Sequence, residues 1–273
     1  MIRSLIAIIV LTFNQLLLGY GYFPAIGAQA NALGGSGLLL DNPFSASNNP
    51  ALIPWQKNSG IGYSFNNQYF LSDVNQSNLS FVLPYKHFGY GLKLSSFGNN
   101  TLKDQLIGAS VAHEFHPNFS VGAGVNYHLF SIRNYGADQA TTFEFSLAAN
   151  VSDKLKSSFM VFNPFARKFN EISDERMTRT FRFGLKYTLN QKVYLVSEIE
   201  KNHIYKPNLK IGVNYEYNSH FSLRFGASTL QPMTTFGIGF KSKNFIIETA
   251  HAYHLTLGLS NHLNFIYNIG KKK

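Results

Sequence analysis

The 273-residue chain contains no cysteine. That excludes a disulfide framework, thiolate metal sites and lipid attachment through an N-terminal cysteine. Charge is scarce as well: Asp, Glu, Lys and Arg make up 14% of the residues, against roughly 25% in an ordinary soluble domain. The hydrophobic content is 45%, yet beyond the N-terminus no run reaches the ~18 apolar residues of a membrane helix. There is one Trp, but there are 25 Phe, 15 Tyr and 22 Gly.

These aromatics follow a two-residue rhythm. In 180–189, Phe181, Phe183, Leu185, Tyr187 and Leu189 fall on one side, and Thr180, Arg182, Gly184, Lys186 and Thr188 on the other. Successive strand side chains face opposite sides of a sheet, so the segment predicts a strand with one apolar and one polar face. The pattern returns at 209–217, 221–227, 236–241, 245–259 and 263–270. A face so rich in large aromatics suits lipid. Membrane strands carry a weaker signal per segment than membrane helices, which reconciles the composition with the missing apolar runs.

Residues 1–21 read as a secretory signal, with Arg3 at the positive start, Leu5–Leu18 as the apolar run, and Gly19 or Gly21 near a cleavage site. A secreted, cysteine-free, aromatic-rich β chain points to the bacterial outer membrane. The formal net charge is +10. Lys and Arg alternate with Gly, Ser and Glu along strands instead of clustering, so nucleic acid is not an expected partner. Outer-membrane lipid and lipopolysaccharide are, because a basic rim would face anionic lipid.

Strands are expected at 59–69, 77–85, 88–96, 105–115, 119–131, 141–151 and 155–163, and then from near 179, 192, 208, 221, 234, 245 and 262. The connections after the even-numbered strands are tight, as at Lys86-His87, Pro117-Asn118 and Asn190-Gln191. The others are mostly longer and polar. The longest, Pro164–Thr178, carries Arg167, Lys168, Glu171, Asp174, Glu175 and Arg176 as an expected extracellular loop. Short periplasmic turns and longer outside loops mark outer-membrane barrels. The expected fold is therefore all-β: a 14-stranded antiparallel transmembrane barrel, wound as an up-and-down meander, with both termini periplasmic. The domain reading is 1–21 signal, 22–58 a hatch or plug segment, and 59–273 the barrel. Within 22–58, Asn42-Pro43 and Asn49-Pro50 break regular structure, and helix is expected only inside 42–56.

The inward faces hold Arg182, Lys186, Glu198, Glu200, Lys210, Glu216, Arg224, Lys241 and Glu248. Opposite charges on neighbouring strands can pair across the ladder, so a lumenal charge network is expected. The small-residue stretch 27–37 followed by DNPFSASNNPAL (41–52) resembles the N-terminus of PorV/PorQ proteins of type IX secretion. It also resembles the Asn-Pro-Ala hatch of FadL-type fatty acid transporters, here Asn49, Pro50 and Ala51, with Asn42 and Pro43 ahead of them. The strands at 161–164, 182–201, 205–217 and 223–229 extend the resemblance toward a short lineage found in Bacteroidetes. It implies an accessory of protein secretion or surface assembly with secretion or assembly proteins as partners. The alternative is a FadL-like channel for a small hydrophobic molecule, or a sealed structural barrel. The chain departs from FadL in having no segment long enough for the outside elements that form its capture groove.

No enzyme, metal site or cofactor is expected. His113/His116 and His251/His254 are spaced three apart, which on a strand places them on opposite faces. Repeated Gly-x-Gly (Gly60/Gly62, Gly122/Gly124, Gly237/Gly239) opens no helix, so it reads as inward crowding relief rather than a phosphate loop. Ser, His and Asp are scattered without a nucleophile elbow.

Overall fold

Period-two alternation lets this chain close on itself, because every strand has one face for each side of a cylinder wall. The computed structural model describes residues 25–71, 73–166, 177–230 and 233–271. The expected signal segment and the loop residues Arg167, Lys168, Glu171, Asp174, Glu175 and Arg176 lie outside the described residues.

Fourteen strands are found among the described residues: β1 (Asn58–Asn67), β2 (Asn75–Tyr85), β3 (Phe88–Gly98), β4 (Leu102–His116), β5 (Phe119–Ile132), β6 (Gly136–Asn150), β7 (Leu155–Phe162), β8 (Thr180–Thr188), β9 (Val193–Asn202), β10 (Asn208–Glu216), β11 (Phe221–Ser228), β12 (Met233–Lys241), β13 (Phe245–His254) and β14 (Gly258–Lys271). Each pairs antiparallel with its sequence neighbours, and β1 closes the barrel against β14 through Ile61↔Tyr267 and Phe65↔Leu263. Closure removes the sheet edges, which is the condition for strands to cross a bilayer. The outward rows are largely apolar along the middle of the strands, as with Phe181 and Phe183 on β8 or Phe236, Ile238 and Phe240 on β12.

The turns at 86–87, 117–118, 189–192 and 242–244 are short, as expected. The opposite end differs from expectation. Two of its connections (99–101 and 133–135) are only three residues long, because the strands run further than the apolar pattern suggests; the β13–β14 connection has the three-residue length expected of it but lies at 255–257 instead of 260–262. β6 starts at Gly136 instead of 141, and β14 at Gly258 instead of 262. Gly136 (φ 110°) and Gly258 (φ 90°) take left-handed turn positions. Asp138 and Gln139, near the start of β6, break the apolar alternation, which hides this end of the strand.

Ahead of β1 come α1 (Ala28–Ala32), α2 (Ser45–Asn48) and a 3-10 turn at Pro50–Trp55. The last two fall inside 42–56, as anticipated. α1 does not: it forms in the small-residue stretch because Ala28 and Ala32 pack flush against Ala250 of the wall. Among the described residues, five of the six apolar clusters join residues of 25–57 to inward wall residues; examples are Leu33 with Val196, Leu52 with Ala148, Phe44 with Ile266, and Ile53 with Val82. The core of the molecule is thus the contact between the N-terminal segment and the barrel's inner wall.

Candidate functional site

Inward glycines make the track on which the segment lies. Gly212 of β10 and Gly226 of β11 are register partners. A Cβ added at Gly212 would come within 2.6 Å of the Leu33 Cβ, and one at Gly226 within 2.8 Å of the Leu33 Cα. The pair forms a notch that admits Leu33-Gly34. Gly34 is held at φ +71° and lies against the carbonyls of Ile211 and Ala227, where any side chain would collide. Its N–H donates to the Thr235 Oγ1 at 3.0 Å, and the same hydroxyl donates to the Ala32 carbonyl at 2.9 Å. The Gly-x-Gly repeats serve the same purpose elsewhere: Gly60 faces Pro43, Gly62 faces Phe44, Gly122 faces Ala51 and Gly237 faces Ala32.

Polar contacts fix the segment at discrete points. Glu198 of β9 is buried between wall and segment. Its Oε1 accepts from Arg182 Nε at 2.8 Å and Lys210 Nζ at 3.3 Å, while its Oε2 accepts from the N–H groups of Gly37 and Leu38, both at 3.1 Å. Asn49 donates through Nδ2 to the Leu38 carbonyl at 2.7 Å and to Ser158 Oγ at 2.8 Å. The Ala51 N–H donates to Asn49 Oδ1 at 3.2 Å and Ser146 Oγ at 3.1 Å. Pro50 opens the 3-10 turn, where a missing N–H costs nothing. Asn42 accepts from the Phe44 N–H at 3.0 Å, donates to Gln29 Oε1 at 2.8 Å, and places Pro43 against Gly60.

Asp41 is the sole acid in 22–58. It sits between two wall lysines, 3.4 Å from Lys186 Nζ and 3.9 Å from Lys156 Nζ. Burial alone would push its carboxyl up; the Lys186 and Lys156 charges, with the hydrogen bond from Lys186, outweigh this and hold it below the ordinary aspartate value. Lys186 also lies over the Tyr194 ring at 4.5 Å, and Tyr194 OH accepts from Gln29 Nε2 at 3.0 Å.

The structure brings together most of the charges expected inside the barrel, in two groups. Arg182, Glu198, Lys210 and Glu200 form one, with Lys210 Nζ 2.7 Å from Glu200 Oε2. Arg224 and Glu248 form the other, with Arg224 Nη2 2.9 Å from Glu248 Oε1. Lys186 belongs with Asp41 of the segment. Glu216 accepts from Asn214 Nδ2 at 2.9 Å, and Lys241 is exposed at the rim, apart from both groups. A third buried pair was not expected: Lys93 of β3 reaches Glu144 of β6 at 2.7 Å. It spans two intervening strands because Gly108 and Gly124 leave the wall bare beneath it. The alternation already placed both residues inward, Lys93 between Leu92 and Leu94 and Glu144 between Phe143 and Phe145. The paired histidines each have partners of their own: His113 packs on Phe88 and Phe115, and His251 Nδ1 lies 2.7 Å from Asn261 Oδ1.

Taken together these features define a class, a closed 14-stranded antiparallel barrel of the membrane type with its own N-terminal segment packed against the inner wall. No protein-family model matches the chain, and no curated protein is similar to it in sequence. In structure it is similar to the toluene transporter TbuX of Ralstonia pickettii, with 12% identity and a TM-score of 0.65 over 89% of this chain and 97% of that one. It is similar to a FadL homologue of Pseudomonas aeruginosa, with 13% identity and a TM-score of 0.65 over 92% and 100%. It is also similar to the P. putida toluene transporter TodX, with 12% identity and a TM-score of 0.64 over 91% and 99%. At such identities the likeness establishes the fold.

Proposed function

We propose that this protein is an outer-membrane channel of FadL type, through which a small hydrophobic molecule passes when residues 25–57 shift from their packed position. The observation that carries this reading is the segment itself. A purely structural barrel could fill its lumen with wall side chains, as the Lys93–Glu144 pair does locally. Here the filling is instead a continuous stretch of chain. It is seated on glycines and tied by hydrogen bonds that it donates to Glu198, Ser158, Ser146 and Thr235 of the wall. The fold is shared with proteins described as toluene transporters, which favours this reading over a secretion or assembly accessory. Nothing in the comparisons supports the secretion role or a Bacteroidetes lineage. Asn42, Pro43, Asn49, Pro50 and Ala51 act in this reading as the hinge points of a hatch, and the short-turn end faces the periplasm.

The test is protein-dependent uptake of toluene, as a probe, by cells whose own hydrocarbon channels are deleted. Uptake above that of empty cells, altered when Asn49–Ala51 is removed, is the expected result. Uptake no faster than in empty cells for both forms would sink the channel reading.

A further inference from the structure

The outer wall of β4 and β5 carries a feature that passage through the lumen does not use. On β5 the outward residues Phe119, Val121, Ala123, Val125, Tyr127 and Leu129 form an unbroken apolar row apart from the Tyr127 hydroxyl. Ten residue steps at ~3.4 Å make about 34 Å of strand, and at a tilt of about 40° they stand roughly 26 Å tall, the height of a barrel's hydrocarbon band. The next outward residue is Ser131, and the exposed Arg133 follows just past the end of the strand. On β4 the outward row likewise passes from Ile107 to Gln105 and Lys103. Polarity therefore changes on both strands at the level where lipid headgroups begin.

At that level lies an open recess of about 480 Å³, lined by Asn99, Asn100, Thr101, Lys103, Ser131, Ile132 and Arg133. Its lining includes two cations and no acid. Lys103 pairs in register with Ser131, and the Arg133 N–H donates to the Thr101 carbonyl at 2.8 Å. Lys103 and Arg133 thus line one recess from either side of the β4–β5 pair, where two long basic side chains can share one phosphate. Neither side chain makes an ion pair among the described residues. The nearby acids Asp104 and Asp138 occupy inward positions of their strands, so they do not neutralise the pair from the outer face.

We propose that this recess holds the phosphate group of a phosphorylated glycolipid in the outer leaflet, with its acyl chains lying along the Leu129–Tyr127–Ile107 face. Lys103 and Arg133 supply the charge, and Asn99, Asn100, Thr101 and Ser131 supply hydrogen-bond donors. The inference rests on the membrane placement and orientation proposed above, and not on what the barrel passes.

Native mass spectrometry of the detergent-purified barrel tests it. The probes are bis-phosphorylated lipid A, its dephosphorylated form and phosphatidylglycerol, with inorganic phosphate as competitor. Lipid A should remain bound, with at least tenfold weaker retention of the dephosphorylated lipid and at least tenfold weaker retention by the Lys103→Gln/Arg133→Gln variant. The Lys154→Gln/Lys192→Gln variant, altered on the opposite rim, should bind as the parent does. Equal binding by the Lys103/Arg133 variant, equal retention of the dephosphorylated lipid, or equal loss in the Lys154/Lys192 variant would overturn the site. Displacement by millimolar inorganic phosphate would make it a site for free phosphate, and preference for phosphatidylglycerol would remove the outer-leaflet glycolipid; either result overturns the proposal. None of these outcomes depends on toluene uptake, so the two readings fail separately.

Discussion

Glu198 of the wall accepts the backbone N–H of Leu38 at 3.1 Å while its other oxygen takes Arg182 Nε at 2.8 Å. One carboxylate therefore joins the barrel's charge network to the segment packed inside it. The network neutralises lumenal charge and also presents an acceptor to a turn of chain whose N–H groups would otherwise be buried unpaired.

Replacing Glu198 by Gln should consequently do two things. Arg182 and Lys210 lose a partner in a buried site, at a cost of about 3 kcal/mol to the folded barrel. The Gly37–Leu38 turn loses its charged acceptor. Urea unfolding of the purified protein should show the lower midpoint, and limited proteolysis should show faster cleavage within 25–57 than in the parent. An unchanged cleavage rate would mean that the carboxylate stabilises the wall alone.

The glycine notch makes a separate prediction. Gly212→Leu places a side chain where Leu33 sits, and overpacking of this kind costs about 1–3 kcal/mol. The outward faces of β10 and β11 are untouched, so the barrel should still fold and resist protease. The segment should become cleavable roughly tenfold faster, following its greater population outside the notch. Loss of the barrel itself would show that the segment is needed to build the wall.

Asp41 predicts a pH dependence of definite sign. Its carboxyl is held below its ordinary value by Lys186 and Lys156. The stabilisation is therefore complete above the unfolded aspartate pKa of about 3.9. It is lost as pH falls through the lower folded value. Its side chain is 40% exposed, so the pair is worth about 1 kcal/mol or less. Hydrogen exchange of the 38–42 amides, corrected for intrinsic rates, should rise between pH 5 and pH 3 in the parent. Asp41→Asn should show the loosened state already at pH 5, with no further change in that window.

Much of the wall was legible in the sequence because lipid imposes a strict period. An apolar residue at every second position could be read off Phe181 to Leu189 without knowing any contact. The alternation also put Arg182, Glu198, Lys210 and Glu248 inside. It could not say which charges meet: Lys93 and Glu144 lie 51 positions apart in sequence, and their contact depends on Gly108 and Gly124 being bare. The strand ends near Gly136 and Gly258 were hidden because the apolar alternation breaks off before the strands end, as at Asp138 and Gln139. The segment's seat was hidden for another reason. Gly212 and Gly226 look like ordinary strand glycines until the register places them side by side, and Asp41 gives no sign of Lys186 until the chain folds back into the barrel.

The central claim is that hydrophobic molecules pass only when the segment moves, and the absence of native cysteine allows a direct measurement. A Cβ built at Gly184 stands 3.4 Å from the Leu38 Cβ, close to the separation a disulfide needs. The Leu38→Cys/Gly184→Cys variant should therefore lock the segment to β8 on oxidation. Toluene uptake by cells carrying this variant should fall to the empty-cell level when oxidised and return when the bond is reduced. Uptake that is the same in both states, with the bond confirmed by mass spectrometry, would contradict the account.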